Sequence, residues 1–182
     1  MEAHPIIGFN YRMGEINSAI GLAQIRKIDH ILAQQRKHKK MLHNALAKFP
    51  QVSFREIPDA EGDAATFMDF FLPDEESAKA VVAALKAEGV GNFTGIQYWW
   101  DNNYHYIRNW EHVRSLNTPM KIVAHLLPMP QDYQNLSLPI TDGLISRLIS
   151  LVVKVTWTET QVQELCAAIE KALASVFLKQ QV

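Results

Sequence analysis

A long stretch without proline, residues 14–48, most constrains what this chain can fold into. Ala, Leu, Gln, Lys and Arg dominate it, and these residues favour an α-helix. Residues 16–28 are apolar over much of the helix circumference and rich in small side chains, so we expect close neighbours there. Residues 34–48 are amphipathic, with a basic face that we expect in solvent. Since Pro50 stops the pattern, the sequence predicts one long helix that connects two domains.

The rest of the chain has the patterns of strands and helices in alternation. Strands are predicted at residues 52–57, 66–72, 92–100 and 146–157. An amphipathic helix follows Asp74 and ends near Gly89, and Thr158 with Gln161 forms a capping box before a final helix. This order predicts an α+β fold, in which a long linking helix precedes a small antiparallel sheet with helices packed on one face. The predicted division is residues 1–49 for the linking segment and 50–182 for the α+β domain.

The charge balance and the cysteine content limit the partners of the chain. Lys and Arg number 18 against 19 Asp and Glu, which gives a formal charge of −1. The one basic run, residues 36–40, comes without a base-reading motif, so we expect no nucleic-acid partner. Cys166 is the only cysteine, so no disulfide within the chain can form, and we expect a cytoplasmic protein. No apolar run approaches the roughly 20 residues of a membrane helix, so we expect no membrane partner.

Asn10, Tyr11 and Arg12 come directly before the predicted long helix. The unpaired N–H groups and the dipole of a helix N-terminus favour an anion, and an Asn amide with an Arg fork suits a phosphate. A capping Asn and an Arg in a structural ion pair explain the same residues, and the residues alone favour this simpler interpretation. They leave the phosphate contact open as the alternative.

Residues 96–113 combine aromatic side chains with amides, imidazoles and a guanidinium. Such a mixture suits a polyhydroxylated or anionic ligand, and it also suits a loop that packs its aromatics on the sheet. His105 and His112 have no third metal-ligand neighbour in the pattern, so we predict no metal site. None of the common catalytic motifs, such as the Walker A or the GxSxG sequence, occurs in the chain.

The segment GFNYRMGEINSAIGLAQIRKID, residues 8–29, resembles the DegT/StrS family of fold-type-I sugar aminotransferases, which depend on pyridoxal 5'-phosphate (PLP). The resemblance continues more loosely to the final helix. It implies a homodimer formed through the long N-terminal helix, in which Asn10 reaches the PLP phosphate of the neighbouring subunit. It assigns supporting roles at the cofactor to Tyr11 and Arg12. The implied reaction transfers an amino group, from glutamate as donor, to a keto or aldehyde sugar.

The resemblance also gives the aromatic segment a role, because the family places a substrate-facing loop of the small domain there. The sequence WWDNNYHYIRNW is similar to the branch that aminates 8-oxo-3-deoxy-octulosonate for lipopolysaccharide or surface-polysaccharide synthesis. This similarity implies five substrate-binding residues. They are Trp99 and Trp100 against the sugar ring, His105 and Arg108 at its carboxylate, and Asp101 beside them.

The family needs a lysine that forms a Schiff base with PLP, and in the family this lysine precedes the GFNYRM motif. No lysine of this chain lies in that context, so we expect the C-terminal part of a longer enzyme, inactive and without bound PLP when isolated. The alternative is a non-enzymatic α+β domain for dimerisation or carbohydrate binding.

Overall fold

A computed structural model of the chain describes residues 12–102, 104–115 and 135–178. These ranges contain helices, short strands and two 3-10 turns, Trp99–Asp101 and Ile107–Asn109. The helices are α1 (Glu15–Ile25), α2 (Ile28–Leu46), α3 (Glu75–Ala87), α4 (Val90–Phe93), α5 (Glu111–Arg114), α6 (Pro139–Ile145) and α7 (Glu159–Phe177). The strands are β1 (Ser53–Phe54), β2 (Phe67–Phe71), β3 (Ile96–Tyr98) and β4 (Leu148–Val152).

The four strands form one antiparallel sheet in the order β1-β2-β4-β3. The central column of this sheet pairs Asp69 of β2 with Ser150 of β4, and Ser150 with Gln97 of β3. Side chains alternate between the two faces of each strand, so these three residues lie on one face. The predicted α+β fold with a small antiparallel sheet is confirmed.

The opposite face of the sheet carries the hydrophobic core. Phe70, Ile149 and Leu151 are fully buried there and pack with residues of α2, α3 and α7, which confirms helices packed on one face. Burying each such side chain stabilises the fold by about 1.5–3 kcal/mol. Leu42 and Leu46 of α2 belong to this core, so the second half of α2 is part of the α+β body.

Two capping boxes fix the starts of the long helices that cover the sheet. Asp74 accepts a hydrogen bond from the Ser77 N–H at 2.7 Å, and the Ser77 hydroxyl oxygen accepts one from the Asp74 N–H. Thr158 and Gln161 make the same reciprocal pair at the start of α7, as the sequence predicts. These hydrogen bonds satisfy N–H groups that the first helical turn leaves unpaired.

The prediction of one long helix over residues 14–48 is wrong, because α1 and α2 are separate helices. The Lys27 N–H bonds to the Gln24 carbonyl at 2.9 Å, three residues back rather than four. This tightening ends α1, and Lys27 precedes the first turn of α2 with φ −106° and ψ −2°. Neither proline nor glycine marks this point, so helix propensity alone does not reveal the break.

The basic face of α2 does not simply face solvent, contrary to expectation. His38 is 2% exposed, and its Nδ1 lies 3.0 Å from the Lys154 carbonyl oxygen. Lys39 pairs with Asp63 at 2.5 Å, and Lys37 pairs with Glu159 of α7 at 2.8 Å. The run therefore ties α2 to the neighbouring loop and to α7.

Other predicted segments also differ from the structure. Within the strand predicted at residues 92–100 only Ile96–Tyr98 is a strand, because Val90–Phe93 form α4 and Trp99–Asp101 form a 3-10 turn. The strand predicted at residues 146–157 is limited to Leu148–Val152.

The strand expected at residues 52–57 ends after Phe54, because the chain leaves the ladder and Arg55 contacts Asp69 through its side chain instead. From the prolines of residues 118–139 the sequence also predicts an irregular segment, which lies mostly outside the described residues. Its last residue, Pro139, begins α6. Proline suits this position because an N–H group in the first helical turn has no partner within the helix.

Helix α1 has no buried residue in the described chain. Its large apolar side chains Ile16, Ile20, Leu22 and Ile25 are 78%, 57%, 52% and 61% exposed. The close neighbours that we expect for this helix are therefore absent from the described residues. No helix in the described ranges has the length and apolar character needed to cross a membrane.

Candidate functional site

The aromatic segment begins at the edge of the sheet. Strand β3 ends at Tyr98, and the turn Trp99–Asp101 follows at once. The Tyr98 hydroxyl donates a hydrogen bond to the Ser146 carbonyl at 2.8 Å. Burial, reinforced by the charges of Glu75 and Asp101, raises the pKa of Tyr98 to about 12, so this donor keeps its proton at neutral pH.

A chain of hydrogen bonds ties Trp99 to the polar column of the sheet. The Trp99 indole N–H donates to the Ser150 hydroxyl at 2.7 Å, and Ser150 donates to Asp69 Oδ1 at 2.5 Å. The other carboxylate oxygen of Asp69 lies 3.3 Å from Nη2 of Arg55. Because each of these side chains has a partner, the series of hydrogen bonds fixes the start of the aromatic segment.

Several polar side chains of the segment hold its own backbone. Asn102 Oδ1 accepts hydrogen bonds from the N–H groups of Tyr104 and His105 at 2.8 and 2.9 Å. Asn109 donates to the carbonyls of Trp100 and Asn102 at 2.9 and 3.3 Å. In a sequence these amides resemble ligand contacts, but in the structure they close the loop.

A cavity of about 390 Å³ opens within this segment. It is lined by Trp100, Asp101, Tyr106, Arg108, Asn109 and Arg114. The Arg108 guanidinium carbon lies 4.7 Å from the centre of the Trp100 ring, a cation–π distance, and one guanidinium nitrogen lies 3.6 Å from Asp142 Oδ2. The cavity therefore combines an aromatic wall with charges of both signs.

Three of the five predicted substrate residues line this cavity, namely Trp100, Asp101 and Arg108. Trp99 and His105 do not line it. The Trp99 indole N–H points to Ser150, and its ring centre lies 5.5 Å from that of the exposed His105. A ligand contact by these two residues stays a prediction.

Tyr106, Asn109 and Arg114 also line the cavity, although they are not among the five predicted substrate residues. Arg108 and Arg114 are six residues apart, and the turn Ile107–Asn109 and α5 lie across this interval. No single helical or strand period relates residues across such irregular backbone. The signal available in the sequence was the density of arginine and aromatic residues alone.

A sequence profile described as the DegT/DnrJ/EryC1/StrS aminotransferase family matches residues 2–120. This match covers well over half of the chain. The chain belongs to the DegT/DnrJ/EryC1/StrS aminotransferase family.

The chain is also similar to two other proteins, to one over a short stretch of sequence and to the other in its fold. GDP-perosamine synthase of Caulobacter vibrioides is 58% identical over 33 residues, which are 18% of this chain and 9% of that protein. The crystal structure of 3-amino-5-hydroxybenzoic acid synthase superposes with a TM-score of 0.60 at 21% identity, over 95% of this chain and 42% of that chain. The second likeness shows the fold. The chain thus spans less than half the length of either relative.

The family depends on PLP in general. Of the residues that the resemblance assigns to the cofactor, Asn10 and Tyr11 lie outside the described residues. Arg12 is exposed just before α1. The cofactor contact of these three residues stays a prediction.

The histidines of the segment do not join a cluster of potential metal ligands. The His105 ring is tilted against that of Trp99 at 5.5 Å between centres, and the His112 ring stacks on that of Trp110 at 5.7 Å. Within the described ranges, no three His, Cys, Asp or Glu side chains come together in a way that suits a metal ion.

Proposed function

We propose that this chain is the C-terminal part of a PLP-dependent aminotransferase that transfers an amino group from glutamate to a keto or aldehyde sugar. Membership of the aminotransferase family and the small-domain fold support the reaction class. The name of GDP-perosamine synthase, a relative over 33 residues, supports a sugar as acceptor. The proposed specific acceptor is 8-oxo-3-deoxy-octulosonate, for lipopolysaccharide or surface-polysaccharide synthesis.

The cavity beside Trp100 carries the proposal. An indole ring packs well against the C–H groups of a sugar ring, and Trp100, which also carries the Arg108 guanidinium over its ring, lies at the cavity wall. The exposed Asp101 carboxylate accepts hydrogen bonds from sugar hydroxyls. A volume of about 390 Å³ lies within the range of small-molecule sites. We assign the binding of the acceptor sugar to this cavity.

Bound PLP supplies the electron sink for amino-group transfer. In the proposal, Asn10 donates a hydrogen bond to the phosphate of PLP held by a partner subunit, with Tyr11 and Arg12 in support. The proposed homodimer forms through α1, whose exposed Ile16 and Ile20 lack cover in the described chain. Exposed apolar patches of this kind are typical of interfaces.

Amination of a panel of sugars tests the function. The protein that carries this chain, expressed from its own gene, is incubated with PLP, glutamate and each acceptor, and 2-oxoglutarate formation is followed. We expect amination of 8-oxo-3-deoxy-octulosonate. Activity confined to nucleotide-linked 4-keto-hexoses would contradict this acceptor, and the absence of activity with every sugar would contradict the function.

A pair of variants tests the place of the sugar. Trp100→Ala removes the aromatic wall, and we expect KM for the sugar to rise about tenfold, with a smaller change in kcat. Tyr104→Ala is the matched control, because Tyr104 belongs to the same segment but is 80% exposed and does not line the cavity. Equal effects of the two substitutions would remove the sugar from this cavity.

A further inference from the structure

We infer that the cavity beside Trp100 is an anion site, and that Arg114 is the residue that selects for the negative charge. The ligand group is a carboxylate or a phosphate. The claim that this anion is part of the acceptor rests on the proposed function. The presence of an anion site does not depend on that function.

The two arginines of the cavity differ in their surroundings. Arg108 lies over the Trp100 ring and 3.6 Å from Asp142, so its charge already has an aromatic and an acidic neighbour. Arg114 forms no ion pair with any described residue, and it lies at the end of α5 with its side chain exposed. The lining therefore holds two guanidinium groups against the one carboxylate of Asp101.

This imbalance favours a ligand that is both anionic and hydroxylated. A guanidinium donates paired hydrogen bonds to a carboxylate or phosphate, which makes arginine the usual residue for either group. Asp101 repels a second anion placed next to it, but it accepts hydrogen bonds from hydroxyls. An acceptor oriented with its anion at Arg114 and its hydroxyls at Asp101 meets both requirements.

Tyr106 gives an independent indication of a missing partner. This residue is 2% exposed and lines the cavity, and its hydroxyl is buried without a hydrogen-bond partner in the described chain. Buried polar groups normally have such partners. The Tyr106 hydroxyl is thus an unsatisfied group behind the cavity wall, and a ligand that opens this wall would give it a partner.

Calorimetric titration of the 182-residue chain tests the inference directly, without catalysis. The probes are 3-deoxy-octulosonate for the carboxylate, GDP-mannose for the phosphate, and free mannose as the neutral sugar. We expect one of the two anionic probes to bind at least about tenfold more tightly than mannose, with affinity falling as salt rises. Binding of the first identifies a sugar acid, and binding of the second a sugar nucleotide.

Substitutions then assign the charge to Arg114. Arg114→Gln should weaken the anionic probe by about tenfold or more and leave mannose unchanged, and Arg114→Lys should recover part of the affinity. Arg26→Gln, in the exposed turn between α1 and α2, is the matched control. Circular dichroism reports the fold of each variant.

Three results would overturn the inference. They are no binding of either anionic probe, equal binding of mannose, and an Arg114→Gln variant that binds as the wild type does. These outcomes concern binding alone, so they are distinct from a failure of the enzyme to aminate sugars. An enzyme inactive with all sugars whose chain still binds an anion through Arg114 would retain the anion site and lose the proposed reaction.

Discussion

The indole N–H of Trp99 donates a hydrogen bond to the Ser150 hydroxyl at 2.7 Å, across the boundary between the aromatic segment and the sheet. Ser150 is fully buried, and its hydroxyl donates a hydrogen bond to Asp69 Oδ1. The site segment is therefore anchored by a strand residue far from it in sequence, and this anchor depends on one hydroxyl.

Ser150→Ala should destabilise the fold. The substitution leaves the part-buried Trp99 N–H and one oxygen of the part-buried Asp69 without their partner, and an unsatisfied buried group costs about 1–3 kcal/mol. We expect a loss of about 2 kcal/mol in the free energy of unfolding by urea denaturation. Ser53→Ala, at the exposed residue of strand β1, is the control and should change the free energy of unfolding by less than about 0.5 kcal/mol. Equal stability of the two variants would contradict the anchoring role.

The ion pair between Lys39 and Asp63 makes the stability depend on pH. Burial by itself raises the pKa of Asp63, but the hydrogen bonds from Lys39 and from the Ala65 N–H, with the charges of Lys39 and Arg55, lower it below its ordinary value of 3.8. A carboxyl whose pKa is lowered on folding stabilises the protein above its unfolded pKa. This contribution is lost as the pH falls below 3.8 through the folded pKa.

Asp63→Asn should therefore lower the free energy of unfolding by about 1 kcal/mol at neutral pH. This loss should shrink as the pH falls and the Asp63 carboxylate becomes protonated. Thermal unfolding of both proteins at pH 7 and in steps down to pH 2.5 measures this. Glu164→Gln serves as the control, because Glu164 is exposed on α7 and forms none of the ion pairs of the described residues. A cost for Asp63→Asn that stays constant with pH would exclude the ionised pair as its source.

Gly89 and Gly143 should respond in opposite ways to alanine. Gly89 has φ +74°, in the left-handed region between α3 and α4, and a Cβ there would lie 3.3 Å from the Asn92 side chain. Gly143 lies within α6, where a Cβ meets nothing within 4 Å. Gly89→Ala should therefore lower the free energy of unfolding by about 1 kcal/mol, and Gly143→Ala should raise it slightly. Chemical denaturation measures the free energy of unfolding of both variants. A destabilised Gly143→Ala variant would contradict the prediction that a Cβ fits freely at this position of α6.

Local chemistry made parts of the fold predictable. The capping box at Thr158 and Gln161 and the strand around Ile149 depend on neighbouring residues, and the structure confirms both. The break between α1 and α2 depends on a single tightened hydrogen bond at Lys27, and the sequence around it contains only ordinary helix-forming residues. The burial of His38 depends on Trp157 and Lys154, which are distant in sequence.

The residues of the candidate site were likewise predictable only in part. The family resemblance predicted Trp100, Asp101 and Arg108 as substrate residues, and the structure places all three at one cavity. Trp99 and His105, which were predicted with them, do not line it. Tyr106 and Arg114 became visible only through the turns that bring them to that cavity. Composition and the family resemblance therefore located the segment, but the direction of each side chain required the tertiary structure.

The exposed apolar side chains of α1 predict self-association of the chain. Ile16, Ile20 and Ile25 are each more than half exposed, and neighbouring apolar side chains of this size drive association when uncovered. We expect the chain to be at least dimeric by light scattering after gel filtration. Ile20→Lys should shift it toward the monomer, because a charge in an apolar interface is costly. Asn17→Lys is the control for added charge on the same helix. A monomer at all concentrations would mean that α1 does not provide the subunit contact.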